Sequence, residues 1–201
     1  MEKKKTTNKT PQYLQDLSEK LTNSLFFRIF KGWLWWFAGE FVCIIFTICM
    51  ILVMRRFMAV RIFVAFSALI LTNGLYFNYA LNWANHDRNA VKFHHGKQDS
   101  RMSLKMAFLA PLPQYIMWFI LLLSKLGAIM DIFNYYILAN IQCIAWVDLF
   151  TDKRTIDAVS PAGMGGLLLL ILISSATIFI TYECVYREID VKALLMYGKK
   201  K

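Results

Sequence analysis

The chain has 201 residues, of which 58% are apolar, 15% aromatic and only 18% charged, with a formal net charge of +10. That is too hydrophobic for an ordinary soluble domain of this size, so one polytopic membrane domain is expected. The basic excess is first a topology signal and a response to anionic headgroups, which sets nucleic-acid binding aside.

Residues 1–32 read as a basic tail and an amphipathic helix. Lys3, Lys4, Lys5 and Lys9 precede Thr10-Pro11, a good helix start with Thr as N-cap and Pro at the first helical position. Tyr13, Leu14, Leu17, Leu21 and Leu25 follow at helical spacing. Such a helix lies either in the membrane interface or on the protein's own loops. In the first case Arg28 and Lys31 sit at headgroup level and Trp33, Trp35 and Trp36 form an aromatic belt. No cleavable signal is evident, because the first apolar stretch lacks a small-residue cleavage site. Insertion by the first membrane helix is therefore expected.

The polytopic domain is assigned to residues 33–182. Trp33 to Met54 is long enough to cross a hydrocarbon core of roughly 30 Å and carries one charge, Glu40. After Arg55 and Arg56, a second apolar helix runs from about Phe57 through Asn85. In the resulting antiparallel hairpin, Glu40 is expected near the level of Asn78 and Asn82. Asn78, Asn82, Asn85 and Asn89 are spaced four, three and four residues apart, which puts their amides on one helical face. An unpaired carboxylate or amide is costly in hydrocarbon, so Glu40, Asn78 and Asn82 are expected to form an intramembrane polar cluster. That cluster is either a site open to the loop or a hydrogen-bonded helix pair without a ligand.

Residues 86–105 read as a cytosolic basic loop, with Arg88, Lys92, Lys97, Arg101 and Lys105 against Asp87 and Asp99. Asn85, Asp87, Arg88, Asn89, Lys92 and Arg101 are the docking candidates. All three histidines, His86, His94 and His95, fall here, but adjacent imidazoles without supporting ligand spacing make a poor metal site. No metal or cofactor is expected. Cys43, Cys49, Cys143 and Cys184 lack knuckle or disulfide spacing and are read as free thiols.

A third spanning helix, Met106 to Leu123, should kink at Pro111 to Pro113, where two backbone donors are missing. Leu126 to Phe150 is apolar and aromatic but interrupted by Asp131, Asn134, Asn140, Gln142 and Asp148. Gly163 to Tyr182 is a clear spanning helix whose Gly163, Gly165, Gly166, Ser174, Ser175 and Ala176 permit close helix contact. Residues 183–201 form a basic cytosolic tail.

Charge decides whether 126–150 crosses. If it does not, the N-terminus, the loop and the tail share one side that holds 17 of the 23 Lys and Arg residues. If it does, the split is 14 to 9. The positive-inside rule favours the first arrangement, leaving Arg55, Arg56 and Arg61 on the opposite side with no role beyond snorkelling. The expected fold is therefore an all-α membrane protein: four transmembrane helices, an N-terminal amphipathic helix and an outer-face interfacial or re-entrant segment.

The stretch D-R-N-A-V-K-F at Asp87 to Phe93, the L-S-K-L-G at Leu123 to Gly127 and the ending Y-x-x-V-Y-R-E-I-D are similar to short motifs of a known group. The chain resembles, over about half its length, small uncharacterised integral membrane proteins, mostly of Gram-positive bacteria. The resemblance implies a bacterial cytoplasmic membrane and a cytoplasmic D-R-N loop, and it brings no activity with it. Glu183 departs from the pattern, standing where the group carries glycine.

Three function classes follow. The first is a non-enzymatic accessory subunit that docks a protein or anionic-lipid partner through the basic loop, among membrane lipids or as a homo-oligomer. The second is a small oligomeric transporter or channel component using Glu40 with the Asn78 and Asn82 face. A membrane enzyme is the third and least supported, because no G-x-S-x-G, H-E-x-x-H or paired Asp motif is present.

Overall fold

Residues 24–54, 56–94, 101–150 and 155–188 are described by the computed structural model, and all regular structure among them is helical. No proline interrupts Leu25–Met54, and the helix α1 runs through all 30 of these residues, about 45 Å. It therefore starts at Leu25, not Trp33, and absorbs residues 25–32 of the expected amphipathic helix. The remainder of that helix lies outside the described residues.

Helix α2, Met58–His94, is longer still at 37 residues. The expected loop at 86–105 is corrected here: Asn85, Asp87, Arg88, Asn89 and Lys92 are all helical. Neither Gly nor Pro occurs between Gly74 and Gly96, so nothing in the sequence stops the helix before that point. A helix of about 55 Å outruns the hydrocarbon by several turns, and its polar last turns need no break to reach water.

The expected proline kink is present. Helices α3, Met102–Leu109, and α4, Leu112–Lys125, meet at a bend of 47°. In a straight helix the Leu109 carbonyl would accept from the N–H of residue 113, which is proline and has none. Trp33 fills the gap, its indole N–H donating to the Leu109 carbonyl at 3.0 Å. At the same point Gly32 permits close approach, since a Cβ there would lie 2.8 Å from Ala110 Cβ.

The segment after α4 is broken into short helices, none longer than seven residues. It folds as α5, Phe133–Ala139, a 3-10 turn at Ile141–Cys143, and α6, Ile144–Phe150. Phe133, Tyr136, Asn140, Cys143, Ala145 and Val147 are buried, so the segment enters the bundle and does not lie along its surface. Trp146 pins the returning arm by donating to the Ala65 carbonyl of α2 at 3.0 Å. A second 3-10 turn, Ile156–Ala158, leads to α7, Pro161–Tyr186. There Ser160 caps the helix by accepting from the Gly163 N–H at 3.0 Å, with proline in the first turn.

Helix α7 packs most extensively on α2. Tyr115 and Ser175 hydroxyls lie 2.8 Å apart, and Thr177 donates to Asn73 at 3.0 Å. Gly163, Ser174 and Ser175 face inward as expected, whereas Gly165 opens onto empty space and marks no contact.

Three helices, α1, α2 and α7, are long and apolar enough to cross a membrane, and the bent α3–α4 pair makes a fourth if it counts as one span. Phe37, Phe41, Ile45, Ile48, Phe63 and Ile70 are exposed on the outer surface. So much apolar surface belongs against lipid. The start of α1, the end of α2, the start of α3 and the end of α7 share one end of the bundle, joined by the contacts described next.

Candidate functional site

The charged end is built from four helix termini. Arg28, in the first turn of α1, is 3% exposed, and its Nη1 lies 2.5 Å from Asp87 Oδ2 on α2. The Tyr182 hydroxyl of α7 donates to the same oxygen, and His86 Nδ1 lies 3.3 Å from the other. The Arg28 guanidinium also sits over the Trp83 ring, 4.6 Å from its centroid. Tyr79 completes the knot by donating to the Arg28 carbonyl at 2.9 Å. One carboxylate thus ties three helices.

A second set lies beside it. Glu183 of α7 accepts from Ser103 of α3 at 2.5 Å and pairs with Arg187 at 2.6 Å. Glu183 therefore holds the start of α3. Lys92 pairs with Glu188, and Arg88 lies 3.8 Å from the same carboxylate. The Lys92 ammonium, by hydrogen bond and by charge, holds Glu188 below the ordinary carboxylate range. Glu188 itself has φ +54°, a left-handed turn that closes α7.

Between α1 and α2 an open groove of about 280 Å³ is lined by Lys31, Trp35, Tyr79, Asn82, Trp83 and His86. Lys31 Nζ stands 5.5 Å from the Phe27 and Trp83 ring centroids. Neither this groove nor the Arg28–Asp87–Tyr182 knot was evident in the sequence. The available signal was Arg28 and Asp87 as opposite charges at matching levels of an antiparallel hairpin.

The intramembrane polar cluster expected of Glu40, Asn78 and Asn82 is not formed. Glu40 is buried but accepts from the Trp36 indole at 3.1 Å and from the Gln142 backbone N–H at 3.3 Å, while Asn78 and Asn82 lie exposed on the outside of α2. The register explains this. Gly39 faces Leu75, and Cys43 Sγ lies 3.9 Å from Thr72 Oγ1, so Glu40 sits about a turn below Asn78. Tyr76, Tyr79, Ala80, Trp83 and Ala84 occupy the inward face of α2 and turn the asparagines outward. The expected belt is likewise corrected: Trp33 and Trp36 point inward as hydrogen-bonding ties, and only Trp35 lines the groove.

Of the other candidates, Asn85 and Arg88 are half-buried and Asn89 and Lys92 exposed. Arg101 stands exposed at the start of α3, its carbonyl accepting from the Lys105 N–H at 3.0 Å. His95 and Lys97 lie outside the described residues.

Near Glu40 a cavity of about 20 Å³ is lined by Thr72, Gln114, Gln142, Cys143 and Ser174 among others, room for a single water. Gln114, 3% exposed, has an Nε2 with no partner in the protein. Among the described residues no three His, Cys, Asp or Glu side chains converge to hold a metal.

Arg61, unexplained by topology, donates from Nε to the Met54 carbonyl at 2.9 Å and so caps the end of α1. Lys125 donates to the Ile156 and Asp157 carbonyls at 3.1 and 2.9 Å. Comparison with protein-family models, with curated proteins and with solved structures finds no match to this chain.

Proposed function

We propose that this chain is a non-enzymatic accessory protein of a bacterial cytoplasmic membrane that crosses four times and docks a partner at its charged end. The crossings are α1, α2, the bent α3–α4 pair and α7, with 126–150 re-entrant. The N-terminal region, the 95–100 connection and the C-terminal tail are then cytosolic, which agrees with 17 of 23 basic residues on that side. Arg61 and Lys125 have structural roles at the other end, so they carry little weight against that orientation. The bacterial location rests on the D-R-N-A-V-K-F resemblance alone.

One observation carries the docking reading. The ends of α1, α2, α3 and α7 are bound into a fixed platform by Arg28, Asp87, Tyr182, Ser103 and Glu183, beside an open cationic and aromatic groove. At mid-bundle, by contrast, Glu40 is engaged in holding the re-entrant segment. The test is purification from native membranes in mild detergent followed by mass spectrometry of protein and lipid. A stoichiometric partner or retained anionic lipid is expected, and repeated recovery of a lone, lipid-free monomer overturns the proposal.

A further inference from the structure

Deepening that docking reading, and resting on it, we infer that the groove between α1 and α2 seats the headgroup phosphate of an anionic phospholipid, with Lys31, Asn82 and His86 as its polar contacts. Four features carry this. The first is charge. Lys31 faces the groove, and Arg28 lies behind the Trp83 wall; among the described residues the nearby carboxylate, Asp87, is already shared among Arg28, Tyr182 and His86. The described side chains therefore make the groove positive, and an anion entering it meets no unneutralised acid among them.

The second feature is depth. Lys31 and Asn82 are exposed on the outer face, at the end where the helix termini gather, which is headgroup level for a chain crossing with this end cytosolic. The third is the wall material. Trp35 and Trp83 are indoles, the side chains that favour the boundary between acyl chains and headgroups. The fourth is size: about 280 Å³ is close to the roughly 300 Å³ at which small-molecule sites begin, too large for a lone ion. Asn78, one turn deeper on the same exposed face, then meets the glycerol ester region, which gives the outward asparagines a partner that the bundle interior does not offer.

The experiment uses full-length protein in a neutral detergent, titrated with phosphatidylglycerol or phosphatidylcholine and read by native mass spectrometry. Phosphatidylglycerol is expected to bind at least about fivefold more tightly, and Lys31→Gln to lose about fivefold, the worth of one basic residue near an anionic surface. Trp35→Leu should weaken it further, while Arg56→Gln at the opposite end leaves it unchanged. Thermal unfolding of each variant shows that it remains folded. Equal binding of the two lipids, or no effect of Lys31→Gln and Trp35→Leu together, overturns the site. So does inorganic phosphate that competes fully at millimolar concentration, since the ligand is then a free anion. A protein partner recovered without any lipid preference overturns the lipid site and leaves docking intact, whereas a lone, lipid-free monomer overturns both.

Discussion

The carboxylate of Glu40, halfway along α1, accepts the backbone N–H of Gln142 at 3.3 Å across 102 positions of sequence. Gln142 lies in the first turn of the helical arm that leaves the bundle interior through α6, where N–H groups lack ladder partners. An acceptor carried by another helix thus does the work of an N-cap. Glu40→Ala leaves that N–H and the Trp36 indole without an acceptor and should cost about 3 kcal/mol, whereas Glu40→Gln keeps one acceptor and should cost about 1 kcal/mol. Thermal unfolding in detergent measures both. Faster hydrogen exchange at 141–143 in Glu40→Ala is also expected, and unchanged exchange there would contradict the cap.

The Trp33 indole and the Leu109 carbonyl form a compensating pair created by Pro113. Trp33→Phe should destabilise by about 1 kcal/mol by removing the donor. Pro113→Ala restores a backbone donor to that carbonyl, so the cost of Trp33→Phe should shrink in its presence. A double-mutant cycle of melting temperatures reads this coupling, and strict additivity would show that the two groups do not compensate.

Arg28 and Asp87 form a pair whose side chains are 4% and 16% exposed. Removing one partner of such a pair strands the other, so Asp87→Asn should lose about 3 kcal/mol. Tyr182→Phe removes only one neutral donor and should lose about 1 kcal/mol. Replacing both charges, Arg28→Met with Asp87→Leu, should recover much of the single-variant loss. If the double variant is less stable than Asp87→Asn by the full additive amount, the pair is not a coupled unit.

Gly32 and Gly74 offer a matched contrast. A Cβ at Gly32 meets Ala110 Cβ at 2.8 Å and the Tyr79 ring at 3.2 Å, whereas one at Gly74 meets nothing within 4 Å. Gly32→Ala should therefore destabilise by about 1–3 kcal/mol through overpacking at the kink. Gly74→Ala should stabilise by a few tenths up to about 1 kcal/mol, because glycine in a helix interior has excess freedom to lose. Equal melting temperatures for the two would place the helix contact elsewhere.

Glu188 supplies a pH test. Its carboxyl is held below the ordinary range by Lys92, so the contact is present at neutral pH and is lost as pH falls through the lowered value. The end of α7 should then exchange amide hydrogen relatively faster in acid, and Lys92→Met should weaken that pH dependence, leaving the smaller share due to Arg88. Because the pair is exposed, the effect is local and the midpoint of global unfolding should not move.

Composition alone determined the membrane class, and local chemistry determined several elements: the kink at Pro111 and Pro113, the long helix expected from Gly163 onward, and the interruption of the apolar run 126–150. Proline geometry and interrupted apolar runs act within one or two turns, so they are readable without tertiary information. What only the tertiary structure decided was which face of each long helix turns inward. In α1, α2 and α7 both the lipid-facing and the buried sides are apolar, so periodicity carries almost no record of orientation. That is why the asparagine row on α2 looked like an inward seam, and why Glu40 was matched to Asn78 when its partner was the backbone amide of Gln142. The pairing of Arg28 with Asp87 and Tyr182 needed the same missing information: helix register and rotation, set by where small residues such as Gly32, Ala80 and Ala84 let backbones approach.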